Sequence, residues 1–265
     1  MKPEDLFSIR YAVCAIGWIG TSSDEYYADP TRGKFEIEGT GFLIEPRVVH
    51  TCDHVVEALE RQRKRRRGKP FGSAAQFFYP DASHSDEWTT AVRPFEIVHR
   101  EPRVNLALLR LTNRMDVAPL TLVSHEYVPL VGEGVGLCGY AHGSILMTRG
   151  GEVERVGPLV QTGIISALSP FDIARPERAV LDLVTGPAAS GSPIFRLQTG
   201  EVIGFLIEGQ IKSHAAFSMA QLIYRDANGV AIAPLMTDLI ATTAVRRPPT
   251  AQGQHKAIKS GPSAS

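Results

Sequence analysis

The chain has 265 residues, and its 28 basic and 28 acidic side chains give a formal net charge of zero. A neutral chain has no overall attraction to nucleic acid or to an anionic membrane, and we expect neither as a partner. The three cysteines Cys14, Cys52 and Cys138 have no metal-ligand spacing and cannot form a disulfide framework. We therefore expect buried thiols, with no metal and no cofactor.

The first twenty residues lack the features of a secretory signal. No basic stretch precedes an apolar run with a small-residue cleavage site. No segment approaches the run of about 20 apolar residues that a membrane-spanning helix needs. We expect a cytoplasmic protein, consistent with reduced cysteines.

Short strand patterns follow one another along the chain, separated by clusters of Gly, Pro, Asn and Asp. The predicted strands are residues 9–19, 35–44, 48–51, 95–99, 106–111, 134–138, 159–167, 179–184, 194–197, 202–207 and 215–222. Helical patterns are limited to 55–61 and to a C-terminal helix at 233–243, with Pro234 in its first turn. Many short strands with few helices predict an all-β sandwich or barrel.

Two segments stand apart by composition. Residues 61–69 are strongly basic, and we interpret them as a solvated loop because like charges repel each other. Binding to nucleic acid or to an acidic partner is the alternative. The tail 246–265 has no apolar periodicity, and we expect it to be disordered.

Three separated segments carry residues suited to acyl-transfer chemistry. A strand pair, GTGFLI at 39–44 and HTCDHVV at 50–56, delivers His54 to the start of a helix. Asn105 directly precedes the apolar strand 106–111, and Ser190 lies among small residues in PAASGSPIF at 187–195. Each residue alone is more often structural, but together they follow the order His, polar residue, Ser.

This pattern resembles the trypsin-like serine protease family, whose triad runs His, Asp, Ser along the chain. The segments VGLCGYAHG at 135–143 and QTGIISALS at 161–169 resemble the bacterial high-temperature-requirement (Deg-type) branch. The resemblance implies two six-stranded β-barrels and a C-terminal helix. It places one barrel at about 8–111 and the other at about 130–243, within a protease domain at 1–245.

The resemblance also implies a mechanism. Ser190 attacks a peptide carbonyl, and His54 takes the serine proton and returns it to the leaving amine. The backbone N–H groups of Ala188 and Ser190 form the oxyanion hole. The segment Ile207, Glu208 and Gly209 follows the strand that pairs with extended substrate, so the peptide substrate binds as an added strand.

Three positions depart from the family pattern. Asn105 replaces the aspartate that orients the histidine, so the protein is a slow protease, uses Glu101 or Asp53 instead, or is an inactive descendant. Ala188 and Ser192 replace glycines, so we expect an oxyanion hole that forms fully only with substrate.

The position six residues before Ser190 usually forms the base of the pocket for the residue before the scissile bond, and here it is Val184. An apolar wall disfavours a cationic side chain, so we expect an uncharged substrate residue there, small or medium aliphatic. The competing hypothesis is a protease-like module that binds peptides or partner proteins without catalysis. Regulation by a protein partner is compatible with both hypotheses.

Overall fold

A computed structural model describes residues 8–20, 35–67, 69, 72–80, 88–141, 148–149, 152–153, 157–171, 173, 175–212, 215–225 and 231–232. Its strands form two closed antiparallel barrels. The first barrel contains β1 (Val13–Ile19), β2 (Phe35–Glu45), β3 (Val48–Cys52), β4 (Gly72–Pro80), β5 (Trp88–Glu101) and β6 (Leu106–Leu111). The second contains β7 (Gly134–Gly139), β10 (Leu159–Ser169), β11 (Arg178–Leu181), β12 (Pro193–Arg196), β13 (Val202–Lys212) and β14 (Ala215–Leu222).

The neighbour order is β1-β2-β3-β6-β5-β4 in the first barrel and β10-β11-β14-β13-β12-β7 in the second. Two short hairpins accompany the barrels: β8 (Thr148–Arg149) pairs with β9 (Glu152–Val153), and β15 (Tyr224–Arg225) pairs with β16 (Ala231–Ile232). The prediction of an all-β protein with two six-stranded barrels is confirmed. The predicted C-terminal helix and tail lie outside the described residues, and the domain boundaries stay a prediction.

Sequence patterns missed β4 and the first half of β5. Ala74 and Ala75 are weak strand formers, yet both are buried because β4 closes the barrel between β1 and β5. Ile16 pairs with Ala75, and a larger residue at Gly17, opposite Ala74, would collide with the carbonyl of Glu36. Long-range pairing, which a local pattern cannot reveal, determines this strand.

The helix α1 spans Asp53–Arg65, so the prediction of a loop beginning at residue 61 is wrong. Basic side chains in a last turn interact favourably with the helix dipole, and Arg61 also pairs with Glu57 at 3.6 Å. Beyond the helix, the Arg66 guanidinium lies 4.5 Å from the centre of a Trp18 ring. Within the described residues, no helix is long and apolar enough to cross a bilayer.

His50 lies where the two barrels meet. Its ring is stacked on Phe42 of the first barrel at 5.0 Å and lies 4.3 Å from Phe205 of the second, measured between ring centres. It is fully buried, and neither ring nitrogen has a hydrogen-bond partner among the described residues. Burial without a partner lowers the pKa of His50 to about 3 and keeps the ring neutral.

This buried histidine makes stability depend on pH. Below the ordinary histidine pKa, His50 is protonated in the unfolded chain, whereas in the folded protein it stays neutral down to about pH 3. The free energy of unfolding therefore decreases as the pH falls. The loss is about 1.4 kcal/mol per pH unit, or about 2 kcal/mol between pH 6.5 and pH 5. In His50→Met we expect the decrease in unfolding free energy between about pH 7.5 and about pH 5 to be smaller by about 2 kcal/mol.

Urea unfolding at the two pH values measures this difference. The control is His99→Met at an exposed position of β5, which should keep the wild-type decrease. An equal decrease in wild type and His50→Met would contradict the neutral state of His50.

Candidate active site

Asn105 holds the first turn of α1, which carries His54. Asn105 lies after the short helical turn Pro102–Val104, with φ 56° and ψ 40°, a left-handed conformation that asparagine tolerates well. Its carbonyl accepts the Asp53 N–H at 3.0 Å, and its Oδ1 accepts the His54 N–H at 3.0 Å. The residue before the helix, Cys52, supplies no side-chain cap, so Asn105 satisfies these two N–H groups from a distant part of the chain.

The Asn105 amide also contacts the imidazole of His54. Nδ1 of the ring lies 3.1 Å from Oδ1 and 2.9 Å from Nδ2. Because Oδ1 accepts the backbone N–H, the amide has a defined orientation. A proton on Nδ1 bonds to Oδ1 and leaves Nε2 able to accept a proton, whereas an Nδ1 without a proton accepts from Nδ2 and leaves the proton on Nε2. An aspartate would stabilise only the first tautomer.

Neither carboxylate considered as a substitute is available to the ring. Asp53 is buried, and Arg100 donates to both of its carboxylate oxygens, with Nη2 at 3.1 Å from Oδ2. Glu101 accepts from the Arg103 side chain at 3.1 Å, and this bond lowers the pKa of Glu101. Asn105 is the side chain that contacts His54 Nδ1.

Ser190 lies in the loop before β12, and this loop is bonded to the first barrel. Its carbonyl accepts the N–H of Thr40 in β2 at 2.8 Å. A Cβ added at Gly39 would lie 3.1 Å from the same carbonyl and 2.5 Å from Val55, the neighbour of His54. The Ser190 segment and the first turn of α1 therefore lie against the same stretch of β2. Within the described residues, Ser190 Oγ makes no hydrogen bond to the imidazole; such bonds often tighten only with substrate.

The two N–H groups that flank Ala189 are uncommitted. The N–H groups of Ala189, Gly191 and Ser192 donate to carbonyls of Gly186, Leu206 and Ala189. In contrast, those of Ala188 and Ser190 donate to no acceptor among the described residues. Ala188 has φ 67°, so it adopts the left-handed conformation despite its side chain. The loop therefore offers two free donors beside a serine hydroxyl.

Cys52 is not placed to act as a nucleophile. It is fully buried, and its thiol donates to the carbonyl of Leu206 at 3.2 Å. Burial raises the pKa of Cys52 well above its ordinary value, which keeps it a thiol. All three cysteines are buried and free, as the sequence predicts.

The edge of β13 is open beyond the Ser190 loop. β12 pairs with β13 only as far as Phe205, whereas β14 pairs with it as far as Lys212. Ile207 lies at an irregularity in the β13–β14 register, Glu208 is exposed, and Gly209 pairs with Ser218. The segment assigned to substrate binding thus has an edge without a strand partner among the described residues.

The predicted pocket residue Val184 is 58% exposed. The next residue, Thr185, is buried, and its hydroxyl lies 3.0 Å from that of buried Ser218, which donates to Leu183 O at 2.7 Å. Sequence reasoning missed this hydroxyl pair, because its partners are separated along the chain and belong to no motif. In the described part of the chain, no group of His, Cys, Asp or Glu side chains has an arrangement that could hold a metal ion.

Comparisons with known structures support the fold. Deg5 is similar with a TM-score of 0.51 and 18% identity, over 82% of this chain and 90% of that one. The HtrA-type protease AlgW, with a tripeptide, also has a TM-score of 0.51, with 15% identity, over 82% of this chain and 58% of that one. The MamO protease domain from Magnetospirillum magneticum has a TM-score of 0.51 and 14% identity, over 90% and 98% of the two chains.

No curated protein matches the chain significantly. The family model of the trypsin-like peptidase domain matches residues 39–205, a range that contains Gly39, His54, Asn105 and Ser190. This match spans more than half of the chain and agrees with the resemblance in the sequence. The protein belongs to the family of trypsin-like peptidase domains.

Proposed function

We propose that the protein is a serine endopeptidase in which Ser190 is the nucleophile and His54 the general base. The observation that carries this proposal is the pair of uncommitted N–H groups at Ala188 and Ser190, while those of Ala189, Gly191 and Ser192 are bonded. Such donors stabilise a developing oxyanion, and loss of one donor typically slows catalysis by about 10²–10³-fold.

The reaction has two halves. Ser190 Oγ bonds to the carbonyl carbon while its proton passes to His54 Nε2, and the oxyanion lies against the Ala188 and Ser190 N–H groups. The C–N bond then breaks, and the amine leaves with the proton from His54. Water then attacks the carbonyl of the acyl-enzyme while His54 takes its proton. The bond to Ser190 Oγ breaks, His54 returns the proton to Oγ, and the carboxylic acid is released.

Asn105 slows this reaction through the tautomer of His54. Only the Nδ1–H form has an Nε2 that can accept the serine proton, and the amide also stabilises the other form. In trypsin, replacing the triad aspartate with asparagine lowers kcat by about 10⁴-fold. We therefore propose that the protein is a slow protease. A cytoplasmic location and control by a regulatory protein partner are both compatible with slow proteolysis.

A peptide substrate adds to the open edge of β13 at Ile207–Gly209, and its backbone forms the hydrogen bonds that β12 does not. The similar AlgW structure holds a tripeptide. For the residue before the scissile bond, Val184 and the neutral Thr185–Ser218 pair offer no carboxylate, which supports an uncharged side chain.

Covalent labelling tests the proposed nucleophile. We expect a fluorophosphonate probe to label the protein, and the label to disappear in Ser190→Ala, because the probe reacts with an activated serine. Gel fluorescence and mass mapping of the adduct measure this. Ser166→Ala removes an exposed hydroxyl in β10 and should leave labelling unchanged.

The alternative function, a peptide-binding module without catalysis, is favoured by Asn105. Folded protein that stays unlabelled between about pH 7 and about pH 9, yet binds peptides, would establish that alternative.

A second variant tests the part played by Asn105. In Asn105→Asp the carboxylate accepts from both the His54 backbone N–H and ring Nδ1–H, so the productive tautomer dominates. Aspartate also tolerates the left-handed backbone. We therefore expect the rate of fluorescent casein hydrolysis at neutral pH to rise at least tenfold, with the factor of about 10⁴ seen in trypsin as the upper limit.

The matched control is Asn113→Asp, which adds the same charge at an exposed position and should leave hydrolysis unchanged. Unchanged or slower hydrolysis by Asn105→Asp would show that the tautomer of His54 does not limit the reaction.

A further inference from the structure

Thr40 is bonded to the same two residues that carry the uncommitted N–H groups. Its backbone N–H donates to the carbonyl of Ser190 at 2.8 Å, and its hydroxyl donates to the carbonyl of Ala188 at 2.8 Å. Thr40 belongs to β2 of the first barrel, whereas Ala188 and Ser190 precede β12 of the second. The first barrel thus holds both residues by their carbonyls and leaves their N–H groups free.

The side chain of Thr40 is itself fixed. It is fully buried, and its hydroxyl accepts the N–H of Tyr140 at 3.0 Å while it donates to Ala188. Its carbonyl accepts the hydroxyl of Thr51 at 2.7 Å. A hydroxyl can donate and accept at once, whereas an aliphatic side chain of the same shape can do neither.

Two glycines lie close to Thr40. A Cβ added at Gly191 would lie 2.1 Å from the Thr40 carbonyl, and one added at Gly139 would lie 3.2 Å from its hydroxyl. Gly191 also has φ 90°, a conformation that favours glycine. Gly191 therefore permits the close approach of its loop to Thr40, whereas a Cβ at Gly139 would first collide with Ser192.

We propose that Thr40 is a positioning residue that holds the oxyanion hole open before substrate binds, in contrast to the substrate-dependent hole expected from the replaced glycines. Ala188 has a left-handed backbone that its side chain disfavours, and the bond from the Thr40 hydroxyl to its carbonyl stabilises that conformation. Without the hydroxyl, φ of Ala188 relaxes toward the negative values that an alanine side chain favours, and the Ala188 N–H turns away from the oxyanion. The catalytic part of this inference rests on the proposed function.

The test compares Thr40→Val and Thr40→Ala with Thr40→Ser. The first two remove the hydroxyl, and Thr40→Ser keeps it. From the dependence of fluorophosphonate labelling on probe concentration, we expect the maximal rate constant to fall by about tenfold to hundredfold in Val and Ala. In Thr40→Ser, the maximal rate constant should stay within about threefold of the wild-type value. The half-saturating concentration should change little, because Thr40 does not contact the rest of the probe.

Two controls separate positioning from loss of fold. Thr121→Val makes the same change at an exposed position and should label like wild type. Circular dichroism and urea unfolding establish that each variant is folded, and Thr40→Ala decides the question if Thr40→Val does not fold. A wild-type maximal rate in folded Thr40→Ala would overturn the inference while leaving the proposed function intact.

Amide hydrogen exchange gives a readout that needs no activity. The N–H of Tyr140 loses its acceptor when the hydroxyl is removed, and those of Ala189 and Gly191 report the order of the loop. We expect faster exchange at all three in Thr40→Ala and wild-type exchange in Thr40→Ser. If the wild type is not labelled at all, the proposed function fails, and this exchange alone decides the inference: unchanged exchange in Thr40→Ala would overturn it.

Discussion

The hydrogen bond from the Thr40 N–H to the Ser190 carbonyl joins the two barrels at the residue proposed as the nucleophile. His54 and Asn105 belong to the first barrel and Ser190 to the second, so neither barrel alone contains the site. The Cys52 thiol and the Gly191 N–H both donate to the carbonyl of Leu206, which adds a second connection directly beneath the serine. The spacing of the proposed nucleophile and base therefore depends on contacts between the barrels such as these.

Asn105 has a structural role that an aspartate could fill equally well. Its carbonyl and Oδ1 accept the first N–H groups of α1, and either an amide or a carboxylate can fill that role. The second half of the side chain faces the imidazole, where amide and carboxylate differ because only the amide has a donor. An asparagine there keeps the contacts to the helix that carries His54, and in the proposed mechanism it alters the tautomer of the His54 ring.

Sequence patterns located His54, Asn105 and Ser190 because each lies in a short motif beside a recognisable strand. They also predicted eleven segments that overlap described strands, including 106–111 and 215–222 with the observed bounds. They missed β4, whose alanines give no strand pattern, and they ended α1 at residue 61, although basic side chains are favourable in the last turn of a helix. Thr40 and the Thr185–Ser218 pair were invisible for another reason: their roles arise from contacts across at least 33 positions of sequence.

The two ends of the site act on different parts of the reaction. In the proposed reaction, Asn105 sets how readily His54 accepts a proton, whereas the loop bonded to Thr40 stabilises the charge on the substrate oxygen. In general, an oxyanion hole and substrate binding retain about 10³–10⁴-fold catalysis over water even when the triad is removed. The surroundings here favour that contribution, because neutral His50, the Cys52 thiol and Phe205 are buried and uncharged, and burial away from water strengthens each donor. With a weakened base and intact donors, the oxyanion hole supplies the larger share of the proposed rate enhancement.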